Sequence, residues 1–297
     1  MFAKRLDRNS LMVGAPAKVN LFLEVLNRRE DGYHDINSLF QAVSLFDRLT
    51  FTRIPAPGIN LKVESSPELP SDDTNLVVKV CRLIRDEFVP ELGLDITLQK
   101  NIPVAAGLGG GSADAAAAIL ACNVLFELNL SPKDMAGLGL RLGSDIPFFF
   151  SGGQAIVTGR GEVITEKEFP TDYWLVLVTP RILVSTAESY AALKIGLTRK
   201  ANPINLGRCQ TVLEFVESLK LSANSFEEAH FLSYPELVRI KDELLKSKAL
   251  LVRMSGSGAT MFGIFEEVAE EWTNNRIINQ GDWQVNVVRP ITLPLKK

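Results

Sequence analysis

The chain has 297 residues, of which 46% are apolar and 23% charged, and a formal net charge of −3. That composition is ordinary for a globular protein, and the length favours two domains over a single core. The acidic balance argues against a nucleic-acid footprint, and no apolar run reaches the 18 or so residues that a bilayer demands.

Residues 1–10 carry Lys4, Arg5 and Arg8 with no apolar stretch after them, which argues against a secretory signal. Cys81, Cys122 and Cys209 are far apart and lack C-x-x-C spacing, so they read as small buried residues in a reducing compartment. His34 and His230 are the only histidines, too few for a usual structural zinc site. The expected location is cytoplasmic.

The first part of the chain reads as strands. Residues 11–13 and 17–26 carry Val, Leu and Phe in partial alternation, and residues 37–45 and 49–54 continue it. Pro55, Pro57 and Gly58 mark a turn before a short strand at 59–63. A helix is expected from Asp73 or Thr74, with Leu76, Val77, Val80, Ile84 and Phe88 at helical spacing. Residues 94–98 form a further strand.

Residues 107–116 read Gly-Leu-Gly-Gly-Gly-Ser-Ala-Asp-Ala-Ala. Four glycines in five positions are costly to order, and one turn needs one or two. Ser112 is a good N-cap and the alanines after it are strong helix formers, so a helix is expected from Ser112 to about residue 128. A bare loop leading into a helix N-terminus binds phosphate, because free N–H groups and the positive end of the dipole point the same way. No lysine follows as in a Walker A motif, and the spacing does not fit G-x-G-x-x-G. The bland alternative is a tight strand-to-helix connection.

A second helix is expected at Ser131-Pro132, where Ser131 and Asp134 form a capping box with proline at the first position, and Gly143 ends it. Residues 143–147 then form a loop, 148–150 an apolar run, and 154–158 with 162–165 a hairpin. From Phe169 the organisation changes, which divides the chain into domains 1–168 and 169–297. The second holds a buried strand at 173–179, a helix near 186–195 and a polar loop at 199–205. Helices follow at 208–219, 225–231 and 235–246. Strands at 250–253, 259–265 and 283–289, with a helix near 268–277, complete an α+β unit of split β-α-β, ferredoxin-like type.

Three more clusters bear on chemistry. Lys18 and Asn20 share one face of an otherwise apolar strand, which a solvent-exposed edge explains equally well. Asp31-Gly32-Tyr33-His34 puts an aromatic and an imidazole on one turn, able to stack on a base and bond to its edge, or simply forming a hairpin. Met254-Ser255-Gly256-Ser257-Gly258-Ala259-Thr260 lies between two strands, as a plain hairpin or as a second backbone cradle. Asp145 sits beside the apolar Ile146-Pro147-Phe148, either partly desolvated near a cation or as a turn or cap residue.

Taken in order, these clusters resemble one family, the GHMP kinases. The resemblance rests on Pro103-Val104-Ala105-Ala106-Gly107-Leu108-Gly109-Gly110-Gly111-Ser112 and on the Ser-Gly-Ser-Gly-Ala loop. Pro16-Ala17-Lys18-Val19-Asn20-Leu21, Asp31-Gly32-Tyr33-His34 and Leu142-Gly143-Ser144-Asp145-Ile146-Pro147 narrow it to the branch acting on 4-diphosphocytidyl-2-C-methyl-D-erythritol. The matches span residues 15–265.

The resemblance implies an α+β fold of two domains: an N-terminal mixed α/β nucleotide-binding domain and a C-terminal ferredoxin-like one, with the active site in the cleft between them. ATP would rest on Pro103, Ala105, Ala106, Gly107, Leu108, Gly109, Gly110, Gly111 and Ser112, with Asn75 and Lys100 also in its pocket. Asp145 would take the proton of the acceptor 2-hydroxyl, and Lys18 would pair with it and help stabilise charge on the transferring group. Asn20, Tyr33, His34, Tyr190, Ser257 and Gly258 would hold the cytidine substrate, Tyr33 and Tyr190 as the aromatic faces. Mg²⁺ is expected with ATP, its side-chain ligands unassigned, with Ser112 as a candidate. The implied partners are these small molecules, with no nucleic acid or membrane, for a monomer or homodimer. Two other readings stay open: a GHMP kinase for homoserine, mevalonate or a sugar, which Asp31-Gly32-Tyr33-His34 speaks against, and a non-catalytic ligand-binding relative, which Lys18 and Asp145 speak against.

Overall fold

The computed structural model describes residues 1–66, 69–193, 209–268, 272 and 283–293. Its first sheet is built on two long strands. β2 (Ser10–Arg28) and β3 (His34–Arg53) form an antiparallel hairpin whose tip is the Asp31-Gly32-Tyr33 turn. Each merges two strands that the sequence reads as separate. Pro16, which has no N–H for the ladder, coincides with a register slip rather than a break.

β1 (Phe2–Arg5) pairs β2 on the outer edge, and β5 (Gly93–Gln99) pairs the second half of β3. β4 (Gly58–Glu64) lies parallel to β5, joined to it through helix α1 (Leu76–Glu87). β6 (Gln154–Gly159) pairs the first half of β3 and forms the expected hairpin with β7 (Val163–Glu166). Helix α1 starts at N-cap Asn75, two residues or fewer beyond the expected start, because the Asn75 side chain accepts from Val77 N.

Helix α2 (Gly110–Leu125) also departs from expectation. It begins two residues before Ser112, with Gly109 in the left-handed region as N-cap and no side-chain cap. Ser112 therefore lies inside the first turn. Helix α3 (Pro132–Leu140) has the expected capping box between Ser131 and Asp134, and a 3-10 helix (Ile146–Phe150) follows. α2 is buried on nearly every side, including Ala113, Ala115, Ala116, Ala117, Ala118 and Ile119. Its small side chains let α1, α3 and the sheet approach closely.

The second sheet contains β8 (Trp174–Pro180), β9 (Leu251–Met254), β10 (Met261–Phe265) and β11 (Trp283–Val288). Its order, β11-β8-β10-β9, is antiparallel throughout and is that of a split β-α-β, ferredoxin-like unit. Helices α4 (Thr186–Ala192), α5 (Val212–Lys220), α6 (Glu227–Ser233) and α7 (Pro235–Lys246) accompany it. The expected loop at 199–205 and most of the expected helix at 268–277 lie outside the described residues.

Strand alternation explains how the two sheets join. Ala17, Val19 and Leu21 of β2 share a core with Leu175 and Leu177 of β8 and Phe262 and Ile264 of β10. Lys18 and Asn20, one residue out of phase, face the other way, toward α2 and the 3-10 helix. The chain then returns to the first sheet: Ile291 N donates to Ala42 O and Leu293 N to Gly152 O. This shared apolar face and the returning segment set the two sheets against one another.

Candidate active site

A cleft of about 360 Å³ runs along residues 103–112 and is walled by Leu69, Pro70, Asn75, Leu76 and Leu98. One part of its wall is apolar, formed by Leu69, Pro70, Leu76 and Leu98. Another is the bare backbone leading into α2, where the N–H groups of Gly110, Gly111 and Ser112 precede the first intrahelical bond, from Ala113 N to Gly109 O. Two of the glycines are required by their neighbours. Gly107 (φ +76°) would place a Cβ 2.1 Å from Ser255 O, and Gly109 (φ +67°) would place one 2.9 Å from Lys18 Cγ.

The first contact is with the 255–260 connection between β9 and β10. This connection is a hairpin, and it also packs backbone to backbone on the first glycine loop. Ser255 Oγ donates to Gly107 O at 2.9 Å, and Thr260 N donates to Ala106 O at 3.3 Å. Lys18 N in turn donates to Leu108 O at 2.9 Å. The glycine loop is thus held from both sheets.

Lys18 and Asn20 are 3% and 2% exposed, which rules out the solvent-edge explanation. Lys18 Nζ donates to Asn20 Oδ1 at 2.5 Å, lies 3.4 Å from Asp145 Oδ2, and sits 4.5 Å from the centre of the Phe40 ring. Asp145 precedes the 3-10 helix, but its side chain makes no cap bond. Its carboxylate is about one-third exposed and within reach of Lys18. The buried phenylalanines Phe148, Phe149 and Phe150 anchor the segment that carries it.

The aromatic residues gather near Asp145. His34 and Tyr190 stack with centroids 4.8 Å apart and planes at 20°. Tyr33 is 56% exposed, with the Arg160 guanidinium 4.8 Å over its ring. The turn after β6 brings Arg160 there and also abuts Asp145, since a Cβ on Gly161 would stand 4.0 Å from Asp145 Oδ1. Burial first, and Asp145 second, push the Tyr190 phenol up to about 12, so it stays protonated. His34 Nε2 is buried with no partner among the described residues, and burial together with Arg28 lowers the imidazole below its usual range. A neutral ring with an unmet nitrogen suits the edge of a neutral base.

Ser257 Oγ lies 3.0 Å from Thr186 Oγ1 at the start of α4, the helix that carries Tyr190. Gly258 packs beside His230, which holds α4 through Ser189 Oγ at 3.1 Å from its Nε2. The structure therefore groups His34 with Tyr190, Tyr33 with Arg160, and Ser257 with the start of α4, while Gly258 packs directly on Gly107 and Asn20 is linked to Gly107 through Ser255.

Lys100 and Asn75 line the first cleft with their polar ends already engaged. Asn75 caps α1 and donates to Pro70 O at 2.7 Å. Lys100 is buried behind Gly110 between Asp47, with which it makes a very short contact, and Asp114 at 2.8 Å. Burial alone would lower the Lys100 ammonium, and the two carboxylates carry it above its ordinary value instead. Burial raises Asp114 to about 7 despite Lys100, and its Oδ1 has no partner among the described residues.

Asp47, Asp114, Ser255 and Arg160 escape sequence reasoning. Asp47 and Asp114 look like ordinary polar residues until the fold brings Lys100 between them. Ser255 belonged to a segment that reads first as a plain hairpin. Arg160 had one available signal, a Gly-Arg-Gly turn between two strand patterns.

Comparison with known proteins agrees with this geometry. Residues 75–153 match the family model described as GHMP kinases N terminal domain, and residues 209–276 the model described as GHMP kinases C terminal. A 4-diphosphocytidyl-2-C-methyl-D-erythritol kinase of Macrococcus caseolyticus is 39% identical over 268 residues, covering 89% of this chain and 93% of that protein. A crystal structure of 4-(cytidine 5'-diphospho)-2C-methyl-D-erythritol kinase superposes with a TM-score of 0.75 at 30% identity, covering 94% of this chain and 99% of that one. A homoserine kinase from Cytophaga hutchinsonii shares the fold, with a TM-score of 0.72 at 19% identity over the whole of this chain and 99% of its own. Fold and glycine-loop site together make this protein a GHMP kinase, an ATP-dependent phosphotransferase acting on an alcohol. Within that class, the chain belongs to the 4-diphosphocytidyl-2-C-methyl-D-erythritol kinase family.

Proposed function

We propose that this chain transfers the γ-phosphoryl group of ATP to the 2-hydroxyl of 4-diphosphocytidyl-2-C-methyl-D-erythritol, giving the 2-phosphate and ADP for isoprenoid precursor synthesis. The observation that carries the reading is the position of Lys18 and Asp145. They form a 3.4 Å ion pair, with Lys18 packed on the glycine loop and Asp145 beside the aromatic cluster.

Phosphoryl transfer asks a protein mainly for positioning and charge stabilisation. In this reading, the backbone of residues 107–112 cradles the triphosphate and the apolar wall of the cleft takes the adenine. Asp145 accepts the hydroxyl proton as the oxygen attacks, and Lys18 offsets charge on the phosphoryl oxygens. Tyr33 offers a face to the cytosine, whose edge meets His34 Nε2, and Tyr190 backs the His34 ring. Arg160 stands where the substrate's diphosphate passes between cytosine and acceptor hydroxyl. Lys100 acts from behind the loop, since its ammonium is already shared by Asp47 and Asp114.

Mg²⁺ would be held mainly by phosphate oxygens. No group of three or more metal-binding side chains occurs among the described residues, which suits an ion that keeps waters and takes only one or two protein oxygens. The half-buried Ser112 hydroxyl and the Asp145 carboxylate fit that part, and the ion would neutralise phosphate charge. We place the domain boundary at 168/169, between β7 ending at Glu166 and β8 starting at Trp174. We place the reaction in the cytoplasm, where ATP is supplied and the neighbouring buried thiols of Cys81 and Cys122 stay reduced.

The test is incubation of the purified protein with ATP and the cytidine substrate, alongside homoserine, mevalonate and sugars. The reading expects the 2-phosphate and ADP from the cytidine substrate alone. Turnover of another member of the panel instead would overturn it.

A further inference from the structure

We infer that Ser38 is a positioning residue for phosphoryl transfer: it fixes the side chain of Asn20, and through it the Lys18 ammonium against Asp145, by a hydrogen-bond relay of one sense. This rests on the reading of Lys18 and Asp145 as the reacting pair.

The relay starts at the main chain. The β2–β3 register slips between Asn20, opposite Phe40, and Phe22, opposite Leu39. Such an irregularity re-aims side chains and is common beside active sites. Here Ser38, wholly buried on β3, donates from Oγ to Phe22 O at 2.5 Å. The same Oγ accepts from Asn20 Nδ2 at 2.9 Å, and Asn20 Oδ1 accepts from Lys18 Nζ at 2.5 Å.

The direction of each bond is forced. A backbone carbonyl only accepts and an ammonium only donates. With Phe22 O at one end and Lys18 Nζ at the other, the hydroxyl must point to the carbonyl and the amide must turn its oxygen to the lysine. A flipped Asn20 would set N–H against the ammonium and leave the Ser38 hydroxyl, with its one proton, facing two acceptors. The buried amide therefore has one low-energy orientation, and the Lys18 head group is located by the β2 main chain rather than by its own flexible stem. The Phe40 ring and Asp145 take up its remaining sides.

Ser38→Ala strips the acceptor from a buried N–H and frees the amide to turn. The amide that holds the ammonium then loses its fixed orientation, and kcat should fall about tenfold or more. The KM for ATP should hold within about twofold, because no member of the relay lines the apolar wall of the cleft. Ser38→Thr keeps the hydroxyl and should restore kcat to within about threefold of the parent.

The experiment measures kcat, both KM values and Tm for Ser38→Ala, Ser38→Thr and Asp145→Asn. A kcat loss in Ser38→Ala that Ser38→Thr repairs, in protein that still binds ATP, supports the relay. Near-parental turnover in Ser38→Ala while Asp145→Asn is crippled overturns the relay alone, as does an equal loss in Ser38→Thr. If Ser38→Ala fails to fold, Ser38→Thr decides, since failure of that variant to sustain turnover contradicts a role carried by the hydroxyl. Undiminished turnover in Asp145→Asn removes the pair that the relay is said to position, and the inference goes with it.

Discussion

Ser255 Oγ donates a 2.9 Å hydrogen bond to Gly107 O and accepts one from Asn20 N at 3.2 Å. One wholly buried hydroxyl from the β9–β10 connection thus joins the glycine loop to the strand bearing Lys18. Ser255→Ala should cost about 1–3 kcal/mol of stability, because it leaves a buried N–H and a buried carbonyl short of a partner. Gly107→Ala should be worse, since φ is +76° and its Cβ would meet Ser255 O at 2.1 Å. Thermal unfolding and ATP titration check both. A Gly107→Ala protein with parental Tm and ATP affinity would show that the loops do not meet as described.

Tyr33→Ala should raise KM for the cytidine substrate by about 5- to 150-fold, the equivalent of one base stack at roughly 1–3 kcal/mol, and leave KM for ATP alone. Steady-state kinetics with each substrate varied in turn separates the two. Equal effects on both, or none, remove Tyr33 from base recognition.

How far the site was legible in the sequence depends on how local each signal is. The Ser131–Asp134 capping box and helix α7 were readable because cap, proline and apolar spacing all sit within a few residues. The start of α2 was not. Among consecutive glycines, only the left-handed backbone at Gly109 decides where the helix begins, and Ser112 advertised a cap that the chain does not use. β2 and β3 read as broken strands because Pro16 and the polar Asp47 interrupt the pattern. Asp47 is buried because Lys100, 53 residues away, and the N–H groups of Asn101 and Ile102 meet it. The Gly107–Ser255 contact spans 148 residues and leaves no mark in either segment alone.

Asp114 supplies a pH signature. Its folded-state pKa of about 7, against 3.8 for a carboxyl free in water, arises first from burial. Between those values the folded chain keeps a proton that the unfolded chain has released, so stability falls as pH rises through the interval and stays lower above it. Asparagine mimics the protonated acid. Asp114→Asn should match the parent in Tm near pH 5 and exceed it near pH 8. A gap that does not change with pH would contradict a protonated Asp114.

Arg160→Gln should weaken binding of CDP several-fold and binding of cytidine little, and its CDP affinity should depend less on salt. Calorimetric titration with the two ligands tests this. Equal weakening of both would reduce Arg160 to a brace for the Tyr33 ring.

Lys18 and Asp145 carry the account, and the turnover of Asp145→Asn at saturating ATP and cytidine substrate tests them most directly, in protein whose Tm and ATP affinity match the parent. A positioned base contributes roughly 10²- to 10⁴-fold, so kcat should fall by about that much. Turnover within a few-fold of the parent would contradict the assignment of Asp145 as the group that takes the hydroxyl proton.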